Sequence, residues 1–441
     1  MGLMIVDSAS RKKVRFEPID SNHVRLYVCG PTVYDRAHIG NARPVVVFDI
    51  LFRLLQTQYP RVTYCRNITD LDDKINQRAK ESGVPIDVIT METIKYYHDD
   101  MAALGALEPT MEPRATGHIQ EMIDMISVLI DRGHAYAAAG HVLFHVASWP
   151  EYGDFANRSP KELLAGARVE IAPFKRDPGD FVLWKPSSDD LPGWHSPWGR
   201  GRPGWHIECS AMARKHLGDS FDIHGGGADL KFPHHQNEIA QSECCTGKSY
   251  AKYWMHNGFV MVNGEKMSKS LGNFRTVEDL LKDWPGEAIR LALMSSHYRA
   301  PLDISEERLR QARNLLDNFY RVLEDGGVCN DVTAPPAVLE ALNDDLNTAG
   351  ALAALNALKD DPSALKAGAK LLGLLQQDPN DWFRNTASAG MSAAAIDALI
   401  KERSKAKLAK DFARSDEIRH MLNAANILIE DGPSVTTWRY K

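Results

Sequence analysis

Two short segments carry groups suited to holding a phosphate anion. Lys266-Met267-Ser268-Lys269-Ser270 puts two ammonium groups and two hydroxyls within five residues, after a turn signal at Asn263-Gly264 and before Leu271-Gly272-Asn273. Gly and Asn tolerate turn angles, so such a loop can close over an anion and move afterwards. Lysine offers a flexible point charge to oxygens that gain charge during a transfer. A solvated surface loop would carry the same residues. The second segment, Pro31 to Asn41, contains His38-Ile39-Gly40-Asn41 and falls between a strand pattern and a helix pattern. Together the two segments predict the two halves of one nucleotide site.

A third set could hold a metal. Cys29 closes the first strand pattern, and Cys209 lies in Gly204-Trp205-His206-Ile207-Glu208-Cys209. His234 and Glu238 follow Pro233 at the i, i+4 spacing that puts two side chains on one helix face. Thiolate, imidazole and carboxylate are all ligands of Zn²⁺, and four such donors make a tetrahedral site. The four are far apart along the chain, and other readings fit the same residues: buried core cysteines and a helix-face ion pair. Cys65, Cys244, Cys245 and Cys329 are read as structural thiols.

These groups need a scaffold. Val24, Leu26 and Val28 alternate as a strand, Val45 to Leu55 reads as a largely buried helix with Pro44 in its first turn, and Val62 and Tyr64 restart a strand. That β-α-β order predicts a parallel sheet, with the His38 motif beyond the carboxyl end of a strand, where open α/β sheets bind ligands. The expected fold is α/β: a Rossmann-type parallel-sheet catalytic domain with an insertion, then an α-helical bundle and a small C-terminal α+β region. Residues 1–114 form the first half of the catalytic domain and 115–203 the inserted connective module, with its proline-rich run from Pro173 to Pro203. Residues 204–250 form the second half, the sheet resuming at Trp205 to Ala211 and Ser220 to His224. A linker domain, 251–303, delivers the Lys266 loop from a hairpin-like segment at Tyr253 to Val262. The bundle, 304–389, has helices at Glu306 to Glu324, Ala337 to Lys359 and Ser363 to Leu375, then a linker from Gln376 to Ala389. The last region, 390–441, carries a helix from Ser392 to Ala424 broken once, a stop at Asn426 and a strand at Ile427 to Glu430.

At 441 residues and net charge −6 the chain supports several domains and is not basic overall. No apolar run reaches membrane-spanning length, and Leu3 to Val6 is too short for a secretory signal. Val6 stands where myristoylation of Gly2 wants Ser or Thr. The scattered cysteines lack a secreted-type framework, so a cytoplasmic location is expected. From Lys401 to Lys441 there are nine Lys/Arg and six Asp/Glu, a local +3, with Trp438 and Tyr440 able to stack on bases. A solvated amphipathic helix is the alternative there.

The ordered set Tyr27–Asp35, His38–Arg43, Gly204–Met212, Asp222–Gly227 and Lys266–Asn273 resembles the cysteinyl-tRNA synthetases, a family of class I aminoacyl-tRNA synthetases. The resemblance continues to Glu430-Asp431-Gly432-Pro433 and Thr436–Arg439. It implies activation of L-cysteine with ATP and accompanying Mg²⁺ to cysteinyl-adenylate and pyrophosphate, then transfer to the 3′ end of tRNA(Cys). The implied enzyme is a monomer with a tRNA-binding bundle and an anticodon-binding C-terminal region. Cys29, Cys209, His234 and Glu238 are implied to hold one Zn²⁺ per chain, to which the substrate thiol also binds. A thiolate is a far better zinc ligand than a hydroxyl, so the metal can separate cysteine from serine without an editing domain.

The implied catalytic groups are His38, Asn41, Lys266 and Lys269. His38, Gly40 and Asn41 are assigned to the ATP phosphates, Gly227 and Asp229 to the nucleotide ribose, and both lysines to the departing pyrophosphate. Gly30, Thr32, Thr69, Trp205 and His235 are assigned to the surroundings of the amino acid. The substrate carboxylate attacks the α-phosphate itself, so catalysis is positioning and charge stabilisation. Asn41 stands where the motif commonly ends in His; it keeps a hydrogen bond and carries no charge. Asn426 and Val435 stand where the family usually has Gly. An amino-sugar cysteine ligase would share the catalytic half, but the pattern from Asp411 to Trp438 argues against it. Retention of His38, both lysines and all four candidate ligands argues against a non-catalytic RNA-binding paralogue.

Overall fold

The computed structural model describes residues 2–157, 172–262, 264–267, 273–327, 329, 332–384, 393–425, 427–432 and 436–440. An antiparallel pair, β1 (Met4–Asp7) and β2 (Lys12–Arg15), opens the chain. β3 (Val24–Val28) and β4 (Val62–Arg66) then run parallel, joined through the helix Ile39–Gln56, as the alternating and buried patterns predict. β5 (Ala135–Ala138), β6 (His141–Phe144), β7 (Phe181–Pro186) and β8 (Gly201–Pro203) form a separate antiparallel sheet within the insertion. β9 (Phe221–Gly227) and β10 (Ala251–Asn257) return to the first sheet, giving the parallel order β10-β9-β3-β4. Isolated bridges from Cys65 to Met111 and from Ile68 to Arg114 extend it past β4. The chain leaves β3 toward β4 on one side and returns to its other side as β9. The carboxyl ends of β3 and β9 therefore flank a topological switch point, the place where such sheets bind ligands.

Several expected elements differ. Trp205 to Ala211 is not a strand but the start of the helix Trp205–Leu217, buried continuously from Ile207 to Ala213. A helix buried on most sides loses the polar stripe that would reveal its 3.6-residue period. Tyr253 to Val262 is not a hairpin. β10 stays in the parallel sheet, while β11 (Val260–Val262) pairs with β12 (Glu265–Lys266) and β13 (Leu302–Asp303) in another sheet. Gly258 makes the turn between them, and a Cβ there would sit 2.4 Å from the Ala300 carbonyl oxygen. The helix after β3 begins at Ile39, so Pro44 lies inside it rather than in its first turn.

The span from Ala337 to Lys359 splits into Pro336–Asn343 and Thr348–Asn356. Asp345 and Leu346 between them have φ of 59° and 53°, unfavourable for non-glycine residues. The Asp345 carboxylate offsets that strain by accepting from the Val6 N–H, the Tyr298 hydroxyl and Arg299 Nε, each at 2.8 Å. The segment from Gln376 onward contains a further short helix, Pro379–Arg384, with Trp382 buried. The last helix breaks once as expected, into Ala393–Leu408 and Phe412–Ala424, and β14 (Ile427–Asp431) pairs antiparallel with β15 (Thr436–Tyr440). Asn426, Val435 and Lys269 lie outside the described residues.

One apolar core joins the sheet, the helix Ile39–Gln56 and the bundle helices; a second joins the sheet, the insertion and the helices Trp205–Leu217 and His234–Thr246. A small third core belongs to the C-terminal region, around Ile396, Ile418, Leu422 and Trp438. Among the described residues, no helix is long and apolar enough to cross a membrane.

Candidate functional site

At the switch point the strand ends open onto a cavity of about 420 Å³. Cys29, Gly30, Thr32, His38, Gly40, Asn41, Trp205, Gly227 and Asp229 all line it, so most of the residues singled out by sequence share one space. His38 is the N-cap of the helix Ile39–Gln56, and the Asn41 side-chain oxygen accepts from the His38 N–H at 3.2 Å. The bare backbone of Gly40 matters, because a Cβ there would come within 2.9 Å of the His38 ring. The start of the helix, with the positive end of its dipole, thus faces the cavity, an arrangement that suits phosphate.

The second anion segment meets the first. The Ile39 N–H donates to the Arg275 carbonyl at 3.0 Å, and the Val277 N–H donates to the Ala37 carbonyl at 2.9 Å. The Phe274 ring stands edge-on to His38 with centroids 5.2 Å apart, and Met267 and Phe274 both line the cavity. Both flanks of the lysine loop are therefore seated at the His38 motif. The Lys266 backbone lies in β12 opposite Met261.

Cys29, Cys209, His234 and Glu238 converge, although 180 positions separate the two thiols. Cys29 Sγ is 3.6 Å from Cys209 Sγ and 3.4 Å from Glu238 Oε1, and His234 Nε2 is 3.1 Å from the same oxygen. Around a tetrahedral ion with bonds of about 2.0–2.3 Å, ligand atoms stand roughly 3.3–3.8 Å apart, so three such spacings fit within a few tenths. His234 Nε2 is fully buried, and its contact with Glu238 lacks hydrogen-bond geometry, as expected of a nitrogen aimed at a common centre.

A second set, Cys29, His224, His235 and Glu238, shares two of these donors. The hydrogen bonds favour the first. The Tyr250 hydroxyl donates to Glu238 Oε2 at 3.1 Å and His224 Nε2 lies 3.0 Å from it, which leaves Oε1 for Cys29 and His234. His206 Nδ1 lies 2.9 Å from His234 Nδ1, orienting that ring from behind. Burial pushes the Cys29 thiol well up, while the hydrogen bond it donates draws Cys209 down to about 6. Burial opposes ionisation of Glu238, yet His224 and His234 hold it below its ordinary value. Cys209 and Glu238 are thus set to carry negative charge, the state a divalent cation requires, and Cys29 would give up its proton on binding one.

The groups expected around the amino acid divide into two layers. Trp205 is 40% exposed and stacks on His234, centroids 4.1 Å apart, so it joins the cavity to the metal donors. Thr69 does not line the cavity. It is buried, bridges Thr32, and its hydroxyl donates to Glu208 at 3.2 Å. His235 is also buried away from the cavity, with Nδ1 2.8 Å from His256 Nε2 and Nε2 3.5 Å from Cys29 Sγ. Sequence reasoning missed His224, Tyr250 and Asn67, whose side-chain oxygen accepts from the Gly30 N–H at 2.9 Å. The signal for His224 was its place as an imidazole in the middle of an otherwise buried strand.

Comparison with known proteins extends this. The family model described as "tRNA synthetases class I (C) catalytic domain" matches residues 15–314, and that of the "Cysteinyl-tRNA ligase anticodon binding domain" matches residues 391–439. A cysteine--tRNA ligase of Paramagnetospirillum magneticum is 57% identical over 459 residues, covering 100% of both chains. One of Acidiphilium cryptum is 59% identical over 444 residues, covering 98% of each. Among solved structures, a Mycobacterium tuberculosis methionyl-tRNA synthetase with methionyl-adenylate aligns with TM-score 0.54 at 16% identity, over 89% of this chain and 87% of the other. An Agrobacterium radiobacter LeuRS–tRNA–LeuAMS complex aligns with TM-score 0.55 at 12% identity, over 86% and 87%. Those structures share the fold. The relatives, alike from end to end, settle the kinship: the chain belongs to the cysteinyl-tRNA ligase family of class I tRNA synthetases.

Proposed function

We propose that the chain joins L-cysteine to the 3′ end of tRNA(Cys) in two steps, through a cysteinyl-adenylate made from ATP. The observation that carries this reading is the meeting of Cys29, Cys209, His234 and Glu238 beside the cavity that also receives His38, Gly227 and Asp229. His38, Asn41 and the Gly40 backbone hold the ATP phosphates at the helix start, where N–H groups and the dipole favour anions. Gly227 and Asp229 take the ribose, the carboxylate accepting from its hydroxyls. Lys266 and Lys269 neutralise the departing pyrophosphate, and Mg²⁺ travels with the ATP. One Zn²⁺, bound by the four donors, supplies a centre that a thiolate ligates far better than a serine hydroxyl does.

Gly30, Thr32 and Trp205 border the amino acid, while Thr69 and His235 brace that border from behind. The substrate carboxylate is the nucleophile, so these residues orient it rather than react. The inserted module 115–203 is connective, and 251–303 carries the lysine loop. The bundle 304–389 and the region 390–441 meet the tRNA. The enzyme works as a cytoplasmic monomer. The test combines purified protein, ATP, labelled cysteine and total tRNA, with and without an amino-sugar acceptor. Charged tRNA is expected. Amino-sugar product without tRNA charging, or no cysteine-dependent pyrophosphate exchange, would overturn the proposal.

A further inference from the structure

Arg43 lies five residues beyond His38 on the same helix, and its side chain is wholly buried. Among the described residues no carboxylate is recorded within ion-pair reach of it. Its fork binds neutral oxygens instead. Nη1 donates to the Gly258 carbonyl at 2.8 Å and the Phe259 carbonyl at 2.9 Å, and Nη2 to the Ser296 hydroxyl and the His297 carbonyl at 3.3 Å. Nε has no partner. Burial, with the nearby Arg308, pulls the guanidinium down to about 10, so it stays charged at neutral pH. A buried cation without a counter-charge is costly and needs a reason.

Gly258, Phe259 and Val260 supply the reason, because all three line the cavity. Gly258 is already confined, since a Cβ there would meet the backbone of Ala300, and the Asn257 amide donates to its carbonyl at 3.1 Å. Arg43 ties this wall to the helix that begins at His38. We propose that Arg43 is a positioning residue for ATP, locking the Gly258–Val260 wall in register with the phosphate-binding helix start. Its uncompensated charge also adds to the field that attracts the triphosphate. The inference rests on the assignment of the cavity to ATP made above. Lysine cannot replace the fork, because one ammonium cannot reach both segments in a planar bidentate geometry.

The test is pyrophosphate exchange with ATP and cysteine varied separately, plus equilibrium binding of ATP. Arg43→Lys should raise the KM for ATP about tenfold, and Arg43→Met further, with the KM for cysteine within roughly twofold of the unchanged chain. An unchanged ATP KM in Arg43→Lys overturns the inference, as does a parallel rise in both KM values. Should Arg43→Met fail to fold, Ser296→Ala removes one acceptor of the fork away from the cavity and should shift only the ATP KM, about two- to threefold. Exchange by the unchanged chain tests the assigned activity separately. If it is absent, ATP binding still decides: equal affinity of the unchanged chain and Arg43→Lys, or none by either, overturns the inference.

Discussion

Asn41 shows what one side chain can do at a helix start. Its oxygen accepts from the His38 N–H, which leaves its amide nitrogen as the donor available to an anion. Asn41→Ala should cost about 1 kcal/mol of stability through the lost cap bond and slow cysteine-dependent pyrophosphate exchange at least tenfold or so. Unchanged exchange would remove Asn41 from the phosphate site. Cys209→Ser should lower bound zinc per chain, read by metal analysis after dialysis, because a hydroxyl is a poor ligand beside one remaining thiolate.

Asp100 offers a pH test away from the metal donors. Burial raises its carboxyl to about 6, partly opposed by Arg36 at 3.7 Å, with Glu278 raising it further. A folded pKa above the unfolded one means that the native state binds the extra proton between about pH 4 and 6, so stability falls as pH rises through that window. Asp100→Asn should flatten that fall in urea titrations, and an unaltered slope would contradict it. The place of His38 at a helix start and the four candidate donors were legible from residue type and spacing, whereas Lys269 lies outside the described residues. The bond from Asn41 to its own helix cap was not, because it depends on where the helix begins.

The element that bears most on the site is the helix Ile39–Gln56, and its anchor is Asp49. The Asp49 carboxylate accepts from Arg53 Nε at 2.8 Å, from Arg290 on the helix Gly286–Leu293, and from the Leu107 N–H at 2.9 Å. Arg290 also donates to the Leu372 carbonyl at 2.6 Å, so one carboxylate links the His38 helix to the bundle. Asp49→Asn should lose about 3–5 kcal/mol in urea denaturation, since it leaves two buried guanidinium groups short of charge. The exposed Lys95–Asp99 pair is the control, and Asp99→Ala should stay within about 0.5 kcal/mol. Equal effects would show that the Asp49 cluster is not a structural anchor. Alternation revealed β3, β4 and β9, and the i, i+4 spacing revealed the His234 helix. Trp205–Leu217 was misread because burial on most sides hides helical period, and β7 and β8 hid among prolines because their pairing is tertiary.

On the scale of the whole molecule, the C-terminal region has its own small core and its own sheet, closed by Arg403 against Asp431 at 2.7 Å. Removing 390–441 should therefore leave pyrophosphate exchange within about threefold while abolishing most tRNA charging, as expected where one region binds and another reacts. Loss of both activities together would place part of the catalytic fold in that region. The division into a sheet domain, an insertion, a bundle and a tail was readable from changes in period and composition. The meeting of Cys29 with Cys209 across 180 positions was not, because only the parallel sheet brings β3 and the helix Trp205–Leu217 together.

The central claim is that Cys29, Cys209, His234 and Glu238 hold a zinc ion that selects the substrate by its sulfur. X-ray absorption at the zinc edge tests it most directly by counting sulfur neighbours with and without amino acid. The count should be two from the protein alone, three with cysteine and still two with serine. A count that stays at two with cysteine, or that changes equally with serine, would contradict the claim.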